Sequence, residues 1–242
     1  RAPGLRACRR RGRARAASAK VFALYLTTGV PAAERLWPWQ RRGHAARVRR
    51  RRAEAERVAA LLGIQPVHFL AIASRHLKDH LPTARAAVVA ALESCAIDML
   101  WVPAYEGGHQ DHDAANCLAA TLAARVPSWE FAEYNHAGGR VRSQEFPRTA
   151  GGEWLLHLTP EEIALKRRAL AAYPSERGNL GYVRSEREIF RPLPDHDYGR
   201  PPHAGRLFYR RFAWVPIRHP RIDDTAPETV AAALAAFRAA PQ

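Results

Sequence analysis

The sequence predicts an α/β fold built on a mostly parallel sheet, and three observations carry that expectation. Four short apolar runs, at 21–26, 67–72, 97–102 and 129–134, have the length and composition of buried strands. Stretches of helical length at 45–62, 82–94 and 113–125 separate them. Strands spaced this way join as parallel neighbours through right-handed crossovers, which puts helices on both sheet faces. The expected architecture is three-layered and Rossmann-like, with a C-terminal elaboration.

In chain order, residues 1–20 form an atypical basic segment, and residues 21–242 form the α/β domain. Gly63 suits the end of the helix at 45–62, and Pro82 suits the first turn of the next. Beyond residue 135 the alternation fades. Thr159-Pro-Glu-Glu162 is a capping box for a helix reaching residue 172. The polar, proline-containing stretch 184–202 is expected to be loop. The aromatic run 207–215 is expected to be an edge strand, and 227–239 a closing helix capped by a threonine near its start. No internal repeat or flexible linker divides the chain.

Composition sets the outer limits. Hydrophobic residues make up 47% and charged residues 25%, near globular averages. No apolar run reaches the roughly 18 residues of a membrane span. Cys8, Cys95 and Cys117 form no Cys-x-x-Cys pair, which fits a reducing, cytoplasmic setting with Cys95 and Cys117 as small buried residues. Charge is distributed unevenly. Residues 1–52 hold 16 Lys/Arg against one acid, Glu34, while the remaining residues balance 22 against 22. A fragmentary or mis-framed start accounts for the arginine-rich composition. The rival is a basic arm for nucleic acid or other acidic surfaces, limited to non-specific binding by its lack of aromatics.

The functional signal is concentrated in Tyr105-Glu-Gly-Gly-His-Gln-Asp-His-Asp113, a strand-to-helix turn. Gly107 and Gly108 permit a sharp bend or a close ligand approach. His109 and His112, three apart, share one helix face, and Asp111 and Asp113 suit the positive end of the helix. Imidazoles so placed suggest a metal-assisted or acid/base site. Thr28, in Thr27-Thr-Gly29, follows the first strand, and ligands in such folds bind beyond the strand C-termini. The two loops should therefore share one rim.

These residues carry a family resemblance. Tyr-Glu-Gly-Gly-His-Gln-Asp-His resembles the second signature of the PIG-L/LmbE-like zinc deacetylases, usually Gly-His-Pro-Asp-His, with Gln110 in place of proline. The run 21–29, the Arg51-Arg-Ala-Glu54 helix closing on Leu62-Gly63, and the Lys166…Tyr173-Pro-Ser-Glu176…Glu188-Ile-Phe-Arg191 segments are similar to later family motifs in order and spacing. Tyr173 and Glu176 stand where the family has His and Gln. The resemblance implies hydrolysis of the acetamide of an N-acetyl amino sugar or glycoconjugate. It makes His112 a zinc ligand, places His109 against the developing oxyanion, and gives Asp111 the task of orienting a histidine. Arg51, Thr28, Gly107, Gly108 and His136 are candidate substrate contacts.

One departure limits that reading. The family's His-Pro-Asp-Asp-Glu signature, which supplies two metal ligands and the base, is absent. One histidine does not hold zinc tightly, so zinc retention and catalysis stay open. The alternative is a non-catalytic binding protein, either a degenerate family member or a basic nucleic-acid binder. Several other residues have a structural reading beside the functional one. Arg51 lies in the Arg49–Arg52 run of a solvated face, Lys166 and Tyr173 sit on a helix surface, and His68 and His157 lie among apolar residues. His76 and His80 are spaced for a helical metal pair beside a solvated segment. Trp37-Pro-Trp39 suits a sugar or loop packing.

Overall fold

The computed structural model describes residues 19–217 and 219–241. The expected basic segment falls outside the described residues up to residue 18, Cys8 included.

The first half alternates as the sequence predicts. Strand β1 (Phe22–Tyr25) leads through a short helical turn at Pro38–Arg41 to helix α1 (His44–Leu62), then to β2 (Gln65–Phe69). Gly63 ends α1 with φ +68°, a left-handed conformation that lets its N–H close on the Ala59 and Ala60 carbonyls. Helix α2 (Leu81–Ser94), strand β3 (Leu100–Pro103), helix α3 (Gln110–Ala120) and strand β4 (Ser128–Phe131) follow. Short strands β5 (Tyr134–Asn135) and β6 (Arg142–Ser143) form a hairpin-like pair. They precede β7 (Trp154–His157), helix α4 (Pro160–Ala171), β8 (Arg187–Pro192) and helix α5 (Pro227–Ala239). Thr159 and Glu162 close the reciprocal capping box of α4.

The α/β class holds, with helices flanking the sheets, but the Rossmann-like description is approximate. β1 pairs in parallel with β2, and β3 with β4. Among the described residues no strand joins these two parallel pairs into one sheet. The larger sheet has the order β3-β4-β8-β7, and β8 runs antiparallel to both of its neighbours. The stretch expected to be loop at 184–202 therefore contains a strand. Arg191 explains it: this 2% exposed arginine donates to Glu130 Oε1 at 2.6 Å, fixing β8 beside β4. The polar, proline-containing composition of this stretch predicts loop, whereas a buried charge is tolerated in a strand when it is paired.

Three further expectations change. The aromatic run 207–215 is a 3₁₀ turn at Phe208–Arg210 followed by irregular chain, because Leu207 and Phe208 bury singly while Phe212 and Trp214 face solvent. Helix α5 has no side-chain cap; the expected threonine, Thr225, accepts a hydrogen bond from Gln110 instead. His68 and His157 are exposed on their strands rather than structural, since alternate strand residues face opposite sides.

The main core surrounds α3. Leu118 and Leu122 pack with Leu77, Leu81 and Val88 on one side and with Val230 and Leu234 of α5 on another. Cys117 is fully buried there and Cys95 partly exposed. This packing fixes the N-terminus of α3, where the functional signature lies.

Candidate functional site

Two buried carboxylates build the turn between β3 and α3. Asp113 Oδ1 accepts the N–H groups of Glu106 and Gly107 at 3.1 and 3.0 Å. Glu106 Oε1 accepts those of Glu133 and Tyr134 at 2.7 and 3.1 Å, and its Oε2 accepts from Asn135 Nδ2 at 3.1 Å. Burial pushes Glu106 up to about 8 and Asp113 up to about 7, while the N–H donors pull the other way. Between these staples, Gly107 has φ +69°. A Cβ on Gly108 would lie 2.4 Å from the Tyr134 carbonyl oxygen. Both glycines thus shape the backbone.

His109 is the N-cap of α3. Its Nδ1 accepts the Asp111 N–H at 3.1 Å, so the neutral ring carries its hydrogen on Nε2, assigned from the network. Burial lowers the His109 pKa, with Asp111 opposing, which favours the neutral ring. Nε2 faces Ser74 Oγ at 3.5 Å.

The Asp111 carboxylate is spent on a neighbouring turn. It accepts from Arg75 N at 2.7 Å, Leu77 N at 3.1 Å and Ser74 Oγ at 3.3 Å. These bonds hold Arg75 at φ +74°, a strained value for a side-chain-bearing residue. The carboxylate stands 3.7 Å from His109 Nδ1, beyond hydrogen-bond range. The Asp111 backbone, rather than its carboxylate, therefore orients His109.

His112 lies on the same face, with ring centroids 5.3 Å from those of His109. Its buried Nδ1 faces Glu133 Oε2 at 3.4 Å without hydrogen-bond geometry, and Nε2 is the atom left for a ligand. Thr28 reaches the same rim through Ser74: Ser74 N donates to Val30 O at 2.9 Å, and Thr28 N to Ile72 O at 2.8 Å. The Thr28 hydroxyl bonds within its own loop, to Val30.

Arg51 points into the same region but is well occupied. Its guanidinium pairs with Glu176, donates to Ser175 Oγ at 2.9 Å and to Gly29 O at 3.4 Å, and lies over the Tyr173 ring. Arg51 is thus tied to the Tyr173–Glu176 segment, unlike its exposed neighbours Arg49 and Arg50. Lys166 is likewise engaged, by Glu188 at 2.5 Å. His136 follows β5 and has a buried, unpartnered Nδ1. His76 and His80 flank a 3₁₀ turn rather than one helix, and His76 bonds to Asp79. Sequence reasoning gave no role to Ser74, Glu106, Asp223 or His203. His203 donates from Nδ1 to Ala204 O at 2.8 Å, leaving a buried Nε2 without a partner. Only Glu106 had a readable signal, as an acid set between an apolar strand and two glycines.

The donors present do not fit a zinc site. A catalytic zinc takes three protein ligands and an open position. Among the described residues no three His, Cys, Asp or Glu side chains converge on one point. Residues 1–18 hold one Cys and no His, Asp or Glu.

Comparison with known proteins supports the resemblance read from the motif. Residues 10–123 match the family model described as PIG-L, GlcNAc-PI de-N-acetylase. No curated protein sequence matches the chain. Among solved structures, the fold is similar to the A40926 pseudoaglycone deacetylase Dbv21, with TM-score 0.55 and 18% identity over 74% of this chain and 87% of that one. It is also similar to a deacetylase–teicoplanin complex from the teicoplanin biosynthesis pathway (TM-score 0.55, 16% identity, 74% and 89% covered). A zinc-inhibited form of a teicoplanin deacetylase matches with TM-score 0.53 and 16% identity, over 74% and 89% of the two chains. At such identities the likeness establishes the fold.

Proposed function

We propose that residues 21–242 act as one deacetylase-like domain that engages an N-acyl amino sugar or its glycoconjugate at the His109–His112 rim. The match to the PIG-L family model and the fold shared with solved deacetylases support the class. The observation that carries the reading is the geometry of His109: a partly buried ring whose Nδ1 is held by the Asp111 N–H, which leaves an Nε2–H donor beside Ser74 Oγ at the rim. A fixed, partly shielded donor suits the oxygen of an acyl group, and suits it better as negative charge develops there. His112, with Glu133 behind it, would be a zinc donor only alongside the ligands of the absent signature, and the Thr28 loop, Gly107, Gly108, Arg51 and His136 border the substrate. Amide hydrolysis is the finer form of this reading. It requires the metal donors and base of the His-Pro-Asp-Asp-Glu signature, which the sequence lacks.

A second reading, a non-catalytic glycoconjugate binder, is favoured by one observation: Glu106, Asp111 and Asp113 all spend their carboxylates on backbone N–H groups. The two separate in one experiment. The chain as it stands should bind an N-acetylglucosaminyl conjugate saturably, lose that binding in His109→Ala, and release no free amine. A version with His-Pro-Asp-Asp-Glu ahead of residue 21 should bind about one zinc, lose it in His112→Ala, and deacetylate the conjugate. Binding without turnover in the restored version would leave the second reading standing. Absence of binding in both would sink the first and the second alike.

A further inference from the structure

We propose that the surface formed by the Trp37–Trp39 turn with residues 212–217 and 219–221 is a docking face for an anionic lipid bilayer. Trp39, Trp214 and Ile217 are 72%, 69% and 61% exposed, and Phe212 is 39% exposed. Side chains this apolar are unfavourable in water and lower their free energy at a membrane interface, where tryptophan is favoured. They belong to one surface. Trp37 stacks on Trp39 with centroids 5.3 Å apart, and the His219 ring stands edge-on to Trp37 at 6.2 Å. His219 lies in the same segment as Trp214 and Ile217.

Charge identifies the occupant. Residues 35–53 and 205–222 hold 13 arginines and no Asp or Glu. Several of these arginines pair with acids elsewhere, such as Arg35 with Asp224 and Arg52 with Glu56. Arg41, Arg42 and Arg221, which flank the aromatic face, are exposed. Arg41 donates to the Leu36 and Glu34 carbonyls. Apolar tips inside a cationic fringe match a leaflet of negative headgroups over an apolar interior. Single-stranded nucleic acid fits less well. Trp37 and Trp39 are stacked on each other, so one face of each ring is already taken, and Ile217 has no π-face to offer.

The face also has a fixed relation to the His109–His112 rim. Its segment is anchored where Phe208 N donates to Gly107 O at 2.9 Å and where Arg75 Nη1 donates to Ile222 O at 2.9 Å. Docking would therefore set the rim at the membrane surface without any spanning helix. Among the described residues no helix is long and apolar enough to cross a membrane.

The test uses the full chain and phosphatidylcholine vesicles with or without phosphatidylserine, read by co-sedimentation and by a blue shift of tryptophan emission. The chain should partition onto the phosphatidylserine vesicles and lose binding as salt rises. The triple substitution Trp39→Ala, Trp214→Ala, Ile217→Ala should weaken partitioning by about tenfold or more and abolish the blue shift. Far-ultraviolet circular dichroism checks that the variant folds, and Arg41→Glu with Arg221→Glu provides a second variant that keeps the aromatics and should also weaken binding. Equal binding by the triple variant would assign adsorption to the basic N-terminus and overturn the proposal. So would absence of vesicle binding, or an oligonucleotide bound in a tryptophan-dependent manner in place of vesicles.

Discussion

Gly108→Ala puts the geometry of the turn to a direct test. The added methyl would sit 2.4 Å from the Tyr134 carbonyl oxygen, about 1 Å short of ordinary contact. That oxygen has little freedom to retreat. Tyr134 belongs to β5, which pairs with β6, and its N–H is held by the buried Glu106 carboxylate at 3.1 Å. The obstacle is backbone, so no change of rotamer relieves it. Overpacking of this kind costs about 1–3 kcal/mol, which for a chain of this length lowers Tm by about 2–12 °C. Thermal melts followed by circular dichroism measure it, with Gly63→Ala as a reference. Gly63 has φ +68° and nothing within 4 Å of a new Cβ, so that change reports left-handed strain alone, about 1–2 kcal/mol. Gly108→Ala should also impair ligand binding at His109, because the turn must shift to admit the methyl. A variant that melts within about 1 °C of the parent and binds equally would refute the close approach.

Three further outcomes follow from the same frame. Glu106 and Asp113 have folded-state pKa values raised to about 8 and about 7. The native state therefore holds protons that the unfolded chain has released, and stability from these groups is fully present below the ordinary values of 4.5 and 3.8 and falls as pH rises from there to about 8, where it levels off. Urea midpoints across that window should show a downward slope that flattens in Glu106→Gln; a slope that is unchanged would mean other groups carry it. Arg51→Ala should destabilise by about 1–3 kcal/mol by chemical denaturation, since the guanidinium sits beside the fully buried Glu54 carboxylate and ties Ser175 and Gly29 to α1. Unchanged stability would confine Arg51 to a ligand-contact role. Gln110→Ala should cost about 1–2 kcal/mol and speed hydrogen exchange at residues 222–226, because Gln110 Nε2 donates to Asp223 at 2.7 Å and Thr225 at 3.0 Å. Exchange rates matching the parent would show that those bonds do not hold the segment.

Helices and the first four strands were readable because each follows from a local rule: periodicity, a proline in the first turn, a glycine at a C-terminus, a capping box. β8 was not readable, because its strand identity depends on Arg191 finding Glu130, 61 positions away. Local composition said loop, and a long-range ion pair overrode it. The aromatic run at 207–215 failed in the opposite sense: its side chains have strand propensity, but no partner edge receives them, and only Leu207, Phe208 and Tyr209 find burial. At the site, the Gly-Gly-His-x-Asp-His spacing located the turn and both imidazoles. It could not show that Asp111 would serve the Ser74–Leu77 turn, because those donors lie more than 30 positions earlier.

Gln110 shows how a departure from the motif can be read structurally. Proline at this first helical position fixes φ and sacrifices an N–H that has no helical partner, so it rigidifies the turn locally. Glutamine gives up that stiffness and reaches instead across to Asp223 and Thr225, fastening the segment before α5 over the N-terminus of α3. Asp223 also lies near Arg75, whose left-handed backbone is held by Asp111. The substitution therefore replaces local stiffness with a tertiary clamp linking the 222–225 segment, the Ser74–Leu77 turn and His109. Gln110→Pro separates the two devices. If proline in the first turn were sufficient, the variant would equal the parent in stability; if the clamp matters, it should behave as Gln110→Ala and leave the 222–225 segment loosened.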